Sequence, residues 1–256
     1  MTASYRADPA AAATSAPAPA IEVVGLTRDF GATRALAGAS FTVRPGEIFG
    51  LLGPNGAGKT TAIRILLTLL RPTAGQIRVA GTDVLSRPVA VRRLVGWVPQ
   101  ERAVDPLLTG RENLRFVAGL YHLGAADRHR RAAELLALVE LTEHADRLVR
   151  DYSGGMRRRL ELAMGLVHVP LVLVLDEPTL GLDLAARRRL WRQVRRVRDT
   201  GTTVLLTTHY LDEADRLCDR VALIDKGQIR AVDTPAGLKQ RYGQATLDDV
   251  LLAVTG

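Results

Sequence analysis

The apolar positions of this 256-residue chain fall into short runs separated by turns. Residues 21–26 read IEVVGL, a short strand. Residues 34–43 and 47–52 add two more, parted by the turn dipeptide Pro45-Gly46. The period then changes over 58–70. Ile63, Leu66, Leu67 and Leu70 stand at i, i+3, i+4 and i+7, which predicts one helix face, and Arg71-Pro72 ends that helix. A further strand is predicted at 76–80, and 110–150 is helical in pattern throughout. LVLVLD (171–176) and TTVLLTTH (202–209) are continuous apolar runs of the kind that forms strands buried on both faces. An arginine-rich helix at 184–198 lies between them. A helix near 210–217 and strands at 221–224 and 228–232 follow.

Strands alternating with helices predict an α/β fold with a mostly parallel core sheet. The helical block at about 101–164 reads as an insertion into that sheet. No repeat at solenoid periods is present.

Residues 53–60 read GPNGAGKT and satisfy G-x-x-x-x-G-K-[ST]. A strand enters this loop and an amphipathic helix leaves it, the context a phosphate loop requires. Gly53, Pro54, Asn55, Gly56, Ala57, Gly58, Lys59, Thr60 and Thr61 are the candidate binding residues. Gly56 and Gly58 let backbone N–H groups curl around anionic oxygens without a Cβ in the way. The helix N-terminus adds partial positive charge. Lys59 is placed to reach the β- and γ-phosphates, and the Thr60 hydroxyl to ligate Mg²⁺. Only three of the 35 basic residues are lysines, so a lysine here marks a position that wants a compact ammonium.

LVLVLDEP (171–178) sets two carboxylates at the end of a buried strand. Asp176 is the candidate for orienting Mg²⁺. Glu177 points the other way, toward the crevice, as a candidate acceptor of a proton from water. Gln100 ends the strand-like VGWVPQ, His209 ends TTVLLTTH, and Phe30 stands where an aromatic can stack on adenine. Each of these three is weak alone, because a lone polar residue at a strand end is more often solvated and a lone Phe more often core.

The net charge of +8 comes with Asp and Glu spread among the arginines, which predicts a mixed-charge solvated surface and no dedicated nucleic-acid face. The single cysteine, Cys218, excludes an internal disulfide. No apolar run reaches the ~18–20 residues of a membrane span. Residues 1–20 are Ala/Pro/Ser-rich without an apolar signal core, and are expected to be a disordered tail on a cytoplasmic protein.

Taken in order, Phe30, GPNGAGKT, Gln100, YSGG (152–155), LVLVLDE, GLD (181–183) and His209 resemble the ATP-binding-cassette (ABC) family of transporter ATPases. The resemblance spans about residues 21–235. It implies a P-loop NTPase of the ABC nucleotide-binding type, with an N-terminal antiparallel β part and an inserted α-helical subdomain. The domain would run over 21–241, with 242–256 as a C-terminal extension. The cofactors implied are ATP and Mg²⁺, and the activity is ATP hydrolysis coupled to transport. In the family two nucleotide domains sandwich two ATP molecules, so Ser153, Gly154 and Gly155 would face a γ-phosphate held by another subunit. Gln100 would sense Mg²⁺ and the attacking water. Glu177 would be the general base, His209 the switch histidine, and Asp183 a link between the two sites.

Tyr152 and Met156 depart from the commoner LSGGQ. Met156 and the tail TLDDVLLAVTG (246–256) are similar to the daunorubicin/doxorubicin-resistance subfamily. That implies an exporter working with an ABC-2 type transmembrane permease, as a homodimer or paired with a related ATPase, peripheral on the inner face of the membrane. Two alternatives stay open from sequence: an importer ATPase, and a non-transport relative acting on nucleic acid or the ribosome. Only 52 positions separate Gln100 from Tyr152, too few for the long coiled coil of the latter.

In YSGGMRRR (152–159), Ser153 is placed as a helix N-cap. Met156, Leu160, Ala163, Met164 and Val167 form one apolar face. Arg157, Arg158 and Arg159 then read as a solvated flank, with Arg157 paired to Glu161 at i,i+4.

Overall fold

A computed structural model describes residues 18–101 and 103–255. The expected N-terminal tail lies outside them except for 18–20. Ala20 is buried, and its amide donates to Val43 O at 2.8 Å, so the ordered chain begins before residue 21.

Four strands make an antiparallel sheet in the order β2-β1-β4-β5: β1 (Ile21–Phe30), β2 (Thr33–Val43), β4 (Ala74–Val79) and β5 (Thr82–Asp83). β1 runs four residues past its expected end, because the pattern breaks at Gly25, where a bulge with φ 57° lets the strand continue.

The second sheet is the core, with order β10-β9-β3-β8-β7-β6. Its strands are β3 (Ile48–Leu52), β6 (Val95–Val98), β7 (Val172–Asp176), β8 (Thr203–Thr208), β9 (Arg220–Asp225) and β10 (Gln228–Asp233). All its pairings are parallel except β9 with β10. The continuous apolar runs are explained by cover on both faces. In β7, Val172 and Val174 join the core shared with the antiparallel sheet, while Leu173 and Leu175 join the core shared with the helices.

Register places the chemistry. Leu52 pairs with Thr208, and Thr207 with Asp176. The three strands therefore end side by side, and the residues just past them share one rim. Loops at the C-terminal edge of a parallel sheet are where such folds bind ligands.

Helix α1 (Lys59–Leu66) is shorter than the 58–70 expectation. Thr68 at φ 61° breaks the helical conformation before the apolar pattern ends. A short helix absent from the sequence reading, α2 (Pro88–Leu94), leads into β6. Between β6 and β7 lie α3 (Gly110–Leu120), α4 (Ala125–Leu138) and α5 (Gly154–Gly165). Thr109 and Glu112 form a capping box on α3. The arginine-rich helix is α6 (Leu184–Asp199), followed by α7 (Leu211–Leu217). The end of the chain forms α8 (Pro235–Tyr242) and α9 (Leu247–Thr255), which bury Leu238, Leu247 and Val250 in the helix-side core. Among the described residues no helix is long and apolar enough to cross a membrane.

Candidate nucleotide site

The phosphate loop leaves β3 at Gly53 and turns twice through left-handed backbone, Gly56 at φ 81° and Gly58 at φ 108°. A Cβ on Gly58 would stand 2.6 Å from Ala35 O, and one on Gly53 would stand 2.1 Å from Ile224 O. Packing thus requires glycine at both, and at Gly58 the left-handed backbone does so as well. Gly58 is the N-cap of α1 and has no side chain to bond the first-turn amides, so these are left for a ligand.

Lys59 is buried, and its ammonium folds back to donate to Gly53 O at 2.7 Å and Pro54 O at 3.1 Å. Burial lowers its pKa from 10.5, while the negative charges of Glu177 and Asp176 act in the opposite direction. A buried cation whose partners are mostly neutral carbonyls is suited to an incoming polyanion.

A crevice of about 410 Å³ opens over this loop. Asn55, Gly56, Ala57, Gly58, Lys59, Thr60 and Thr61 line it together with Gln100, Glu177 and His209. Sequence reasoning missed two further lining residues, Ala35 and Leu180.

Asp176 sits behind the crevice wall at the end of β7, buried, with Oδ1 accepting from the Thr207 hydroxyl at 2.6 Å. Thr207 also receives the Glu177 amide, on its carbonyl at 3.1 Å and its hydroxyl at 3.2 Å. One threonine on β8 therefore fixes both acidic residues, and the sequence gives no hint of it beyond the strand. Glu177 has φ 49°, a conformation rarely adopted by non-glycine residues. Its carboxylate meets His209 Nδ1 at 2.5 Å.

Phe30 stands outside this crevice. Its ring is half-exposed, and the Arg28 guanidinium lies over it at 4.5 Å.

Ser153, Gly154 and Gly155 line a different crevice, of about 330 Å³, with Asp183, Ala186 and Arg189. Ser153 caps α5, its hydroxyl accepting from the Met156 amide at 3.2 Å. Asp183 caps α6 in the same manner at 2.8 Å. A Cβ on Gly154 would meet no described atom within 4 Å, so nothing in its own fold requires a glycine there. A Cβ on Gly155 would press on Ala186 Cβ at 3.0 Å.

The arginine flank is solvated only in part. Arg158 and Arg159 are buried, because α5 packs against β6, α3, α4 and α6, while Arg157 is half-buried. Arg159 donates to Val139 O and Glu140 O. Glu161 pairs with Arg158 at 2.8 Å, not with Arg157, which instead donates to Val149 O and Arg150 O.

The residues fit a nucleotide with a divalent cation. Gly53 and Gly58 leave no room for a side chain, Lys59 is placed for phosphate, and the described residues form no cluster of three or more metal-ligating acidic, His or Cys side chains. A cation here would need phosphate oxygens to complete its shell, as Mg²⁺ does in phosphate-loop enzymes.

The sequence profile of the ABC transporter family matches residues 36–180. A daunorubicin resistance ATP-binding protein of Streptomyces coeruleorubidus is 49% identical over 232 residues, which cover 91% of this chain and 72% of that protein. A linearmycin resistance ATP-binding protein of Bacillus subtilis is 39% identical over 92% of this chain and 75% of its own length. Among solved structures, an ATP-binding subunit of an ABC transporter superposes with a TM-score of 0.81 at 30% identity, covering 92% of this chain and 99% of that one. With its phosphate loop, paired acidic residues and second glycine turn all in place, the chain belongs to the ABC transporter family, as an ATP-binding subunit.

Proposed function

We propose that this chain is the ATP-hydrolysing subunit of an ABC exporter, closing head-to-tail on ATP with a second copy or a related ATPase and driving a separate ABC-2 type permease. The observation that carries the reading is the division of the site. The chain holds a phosphate grip in one crevice and an open serine-glycine turn in another, and a two-copy sandwich brings such halves together.

In this reading residues 53–61 bind the phosphates and Phe30 stacks on the adenine. Thr60, Gln100 and Asp176 would hold Mg²⁺, which when bound would supply neutralising charge for the phosphates. Glu177 takes a proton from water as the water oxygen bonds to the γ-phosphorus and the bond to the bridging oxygen of ADP breaks. His209 holds Glu177 through Nδ1 and offers Nε2 to the γ-phosphate. Ser153, Gly154 and Gly155 of the other subunit complete the site with amide donors and the N-terminal charge of α5.

The relatives named for daunorubicin and linearmycin resistance favour export over import. They point to an amphiphilic drug, antibiotic or lipid-like cargo. The surface for the permease is an apolar groove between the sheet edge and α3, lined by Leu69, Trp97, Val117, Tyr121, Met164 and His168. Trp97 and Leu69 are substantially exposed there. This contact would hold the protein on the inner face of the membrane.

The test is co-expression with the membrane protein of the adjoining reading frame. The wild-type chain should co-purify with it and show ATP turnover. Trp97→Glu should lose the permease while still binding ATP. Co-purification unaffected by Trp97→Glu would remove the groove as the docking surface.

A further inference from the structure

We propose that the buried Arg158–Glu161 pair is a bracket that fixes the spacing between the loop carrying Gln100 and the strand end carrying Asp176 and Glu177. The hydrogen-bond pattern carries the inference. Arg158 Nε donates to Pro178 O at 2.7 Å, Nη1 to Pro99 O at 2.7 Å and to Glu161 Oε2 at 2.8 Å, and Nη2 to Asp176 O at 3.0 Å. Four of the five guanidinium N–H groups are used. The other carboxylate oxygen of Glu161 accepts from the Ala103 amide at 3.2 Å. Both side chains are buried.

The need for a side chain here follows from the ladder. β6 and β7 pair as far as Val98 with Leu175 and then diverge. Pro99 and Pro178 have no N–H, so neither can extend the pairing through its own amide. A single planar guanidinium spans the gap and takes the carbonyls of Pro99, Asp176 and Pro178 in a fixed fork, which a lysine ammonium cannot reproduce. Gln100 is one peptide bond from Pro99. Arg158 is thus a positioning residue. It touches no substrate, but it sets the separation of Gln100 from Asp176, and the Mg²⁺ arm of its test rests on the metal roles proposed above for those two residues.

The burial makes a clean test available. Removing Arg158 alone strands the Glu161 charge, whereas replacing both by apolar residues of similar volume is often neutral for stability. The double variant Arg158→Met/Glu161→Met removes both charges together and is expected to fold, but to unfold below the wild-type temperature, because the carbonyls of Pro99, Asp176 and Pro178 and the Ala103 amide lose their partners. Amide exchange without nucleotide should then be about tenfold faster at residues 100, 101, 103 and 104 and at 177, 179 and 180, with the rest of the sheet unchanged. The Mg²⁺ concentration for half-maximal ATP turnover should rise about fivefold or more, while Mg²⁺-free ATP affinity stays at the wild-type value. Arg158→Lys should fall between the two.

A folded double variant with wild-type exchange in both loops would overturn the bracket. Faster exchange with an unmoved Mg²⁺ midpoint would overturn its role in the reaction. The exchange arm uses no nucleotide. If the wild-type protein fails to hydrolyse ATP, the proposed function fails and the bracket is still decided.

Discussion

The chain presents two glycine turns at helix N-termini, one before α1 and one before α5, and they are built on different terms. Before α1, Gly53 and Gly58 are locked in by their own fold, since a Cβ on either would strike a backbone carbonyl. A buried lysine completes the turn. Before α5, the cap is an ordinary serine, and a Cβ on Gly154 would point into open space. Steric demand from within explains Gly53 and Gly58, the left-handed backbone explains Gly56, and neither explains Gly154. The absence of a Cβ on Gly154 leaves its surface open to a group arriving from outside the chain. In the proposed reading the first turn is a finished binding site and the second a surface that waits for a partner's phosphate.

Variants on each side should separate binding, chemistry and stability. The largest effect is expected at Glu177, which belongs to the finished side but acts only in the reaction. Glu177→Gln should cut turnover by about 10²–10⁴-fold, the range for loss of a general base, with ATP affinity retained. Equilibrium binding of a fluorescent nucleotide beside a phosphate-release assay would show it, and wild-type turnover would take the base role away from Glu177.

Ser153→Arg comes next. It should lower turnover by about 10²-fold by blocking the partner's phosphate, and leave nucleotide binding by the monomer untouched. If monomer binding is lost as well, the two turns are not separate and the contrast fails. Gly58→Ala inverts the pattern. With φ at 108° and Ala35 O at 2.6 Å from the new carbon, it should cost more than about 2 kcal/mol of stability in urea unfolding. Gly154→Ala should leave the unfolding free energy in urea within about 0.5 kcal/mol of wild type and slow turnover only on the order of tenfold. Equal destabilisation by the two alanines would erase the distinction.

Legibility from sequence follows the same line between what is local and what is not. The sheet strands and the phosphate loop were readable because their signals are local: an apolar run, a turn dipeptide, a fixed glycine-lysine spacing. The α8 start was readable in principle, since Thr234 caps it and Pro235 opens it. The fate of the arginines was not local. Arg158, Arg159 and the exposed Arg188 and Arg192 have the same composition around them, yet the first two are buried and the others face solvent. What separates them is the enclosure of α5 by β6 and three helices, a tertiary fact. Charge at a helical spacing predicted solvent because burial of arginine is rare, and here backbone carbonyls supply the partners that make it tolerable. Thr207 escaped for the same reason, as its role comes from cross-strand register with Asp176.

The smallest expected effect is on pH dependence, and it distinguishes the turns without altering either fold. Burial lowers the Lys59 pKa from 10.5 in the protein alone. In the unfolded chain Lys59 keeps its ordinary value, so in the window just below 10.5 the unfolded state binds more protons. The Lys59 contribution to stability therefore increases as pH rises through that window. A phosphate beside the ammonium favours the charged form and raises the pKa again. ATP binding then takes up a proton in the same window, and affinity falls as pH rises, by at most about tenfold per pH unit for one group. Stability and affinity thus respond to the same titration with opposite signs. Below that titration affinity should be flat. Ser153→Arg should keep the alkaline loss, because its turn contributes nothing to binding by the monomer. Lys59→Arg should bind more weakly and remove the alkaline loss, since a guanidinium does not titrate there. Calorimetric titration of ATP from pH 7 to about 10.5 reads all three proteins. A wild-type affinity that stays flat across the range would mean that Lys59 is not the group that meets the phosphate.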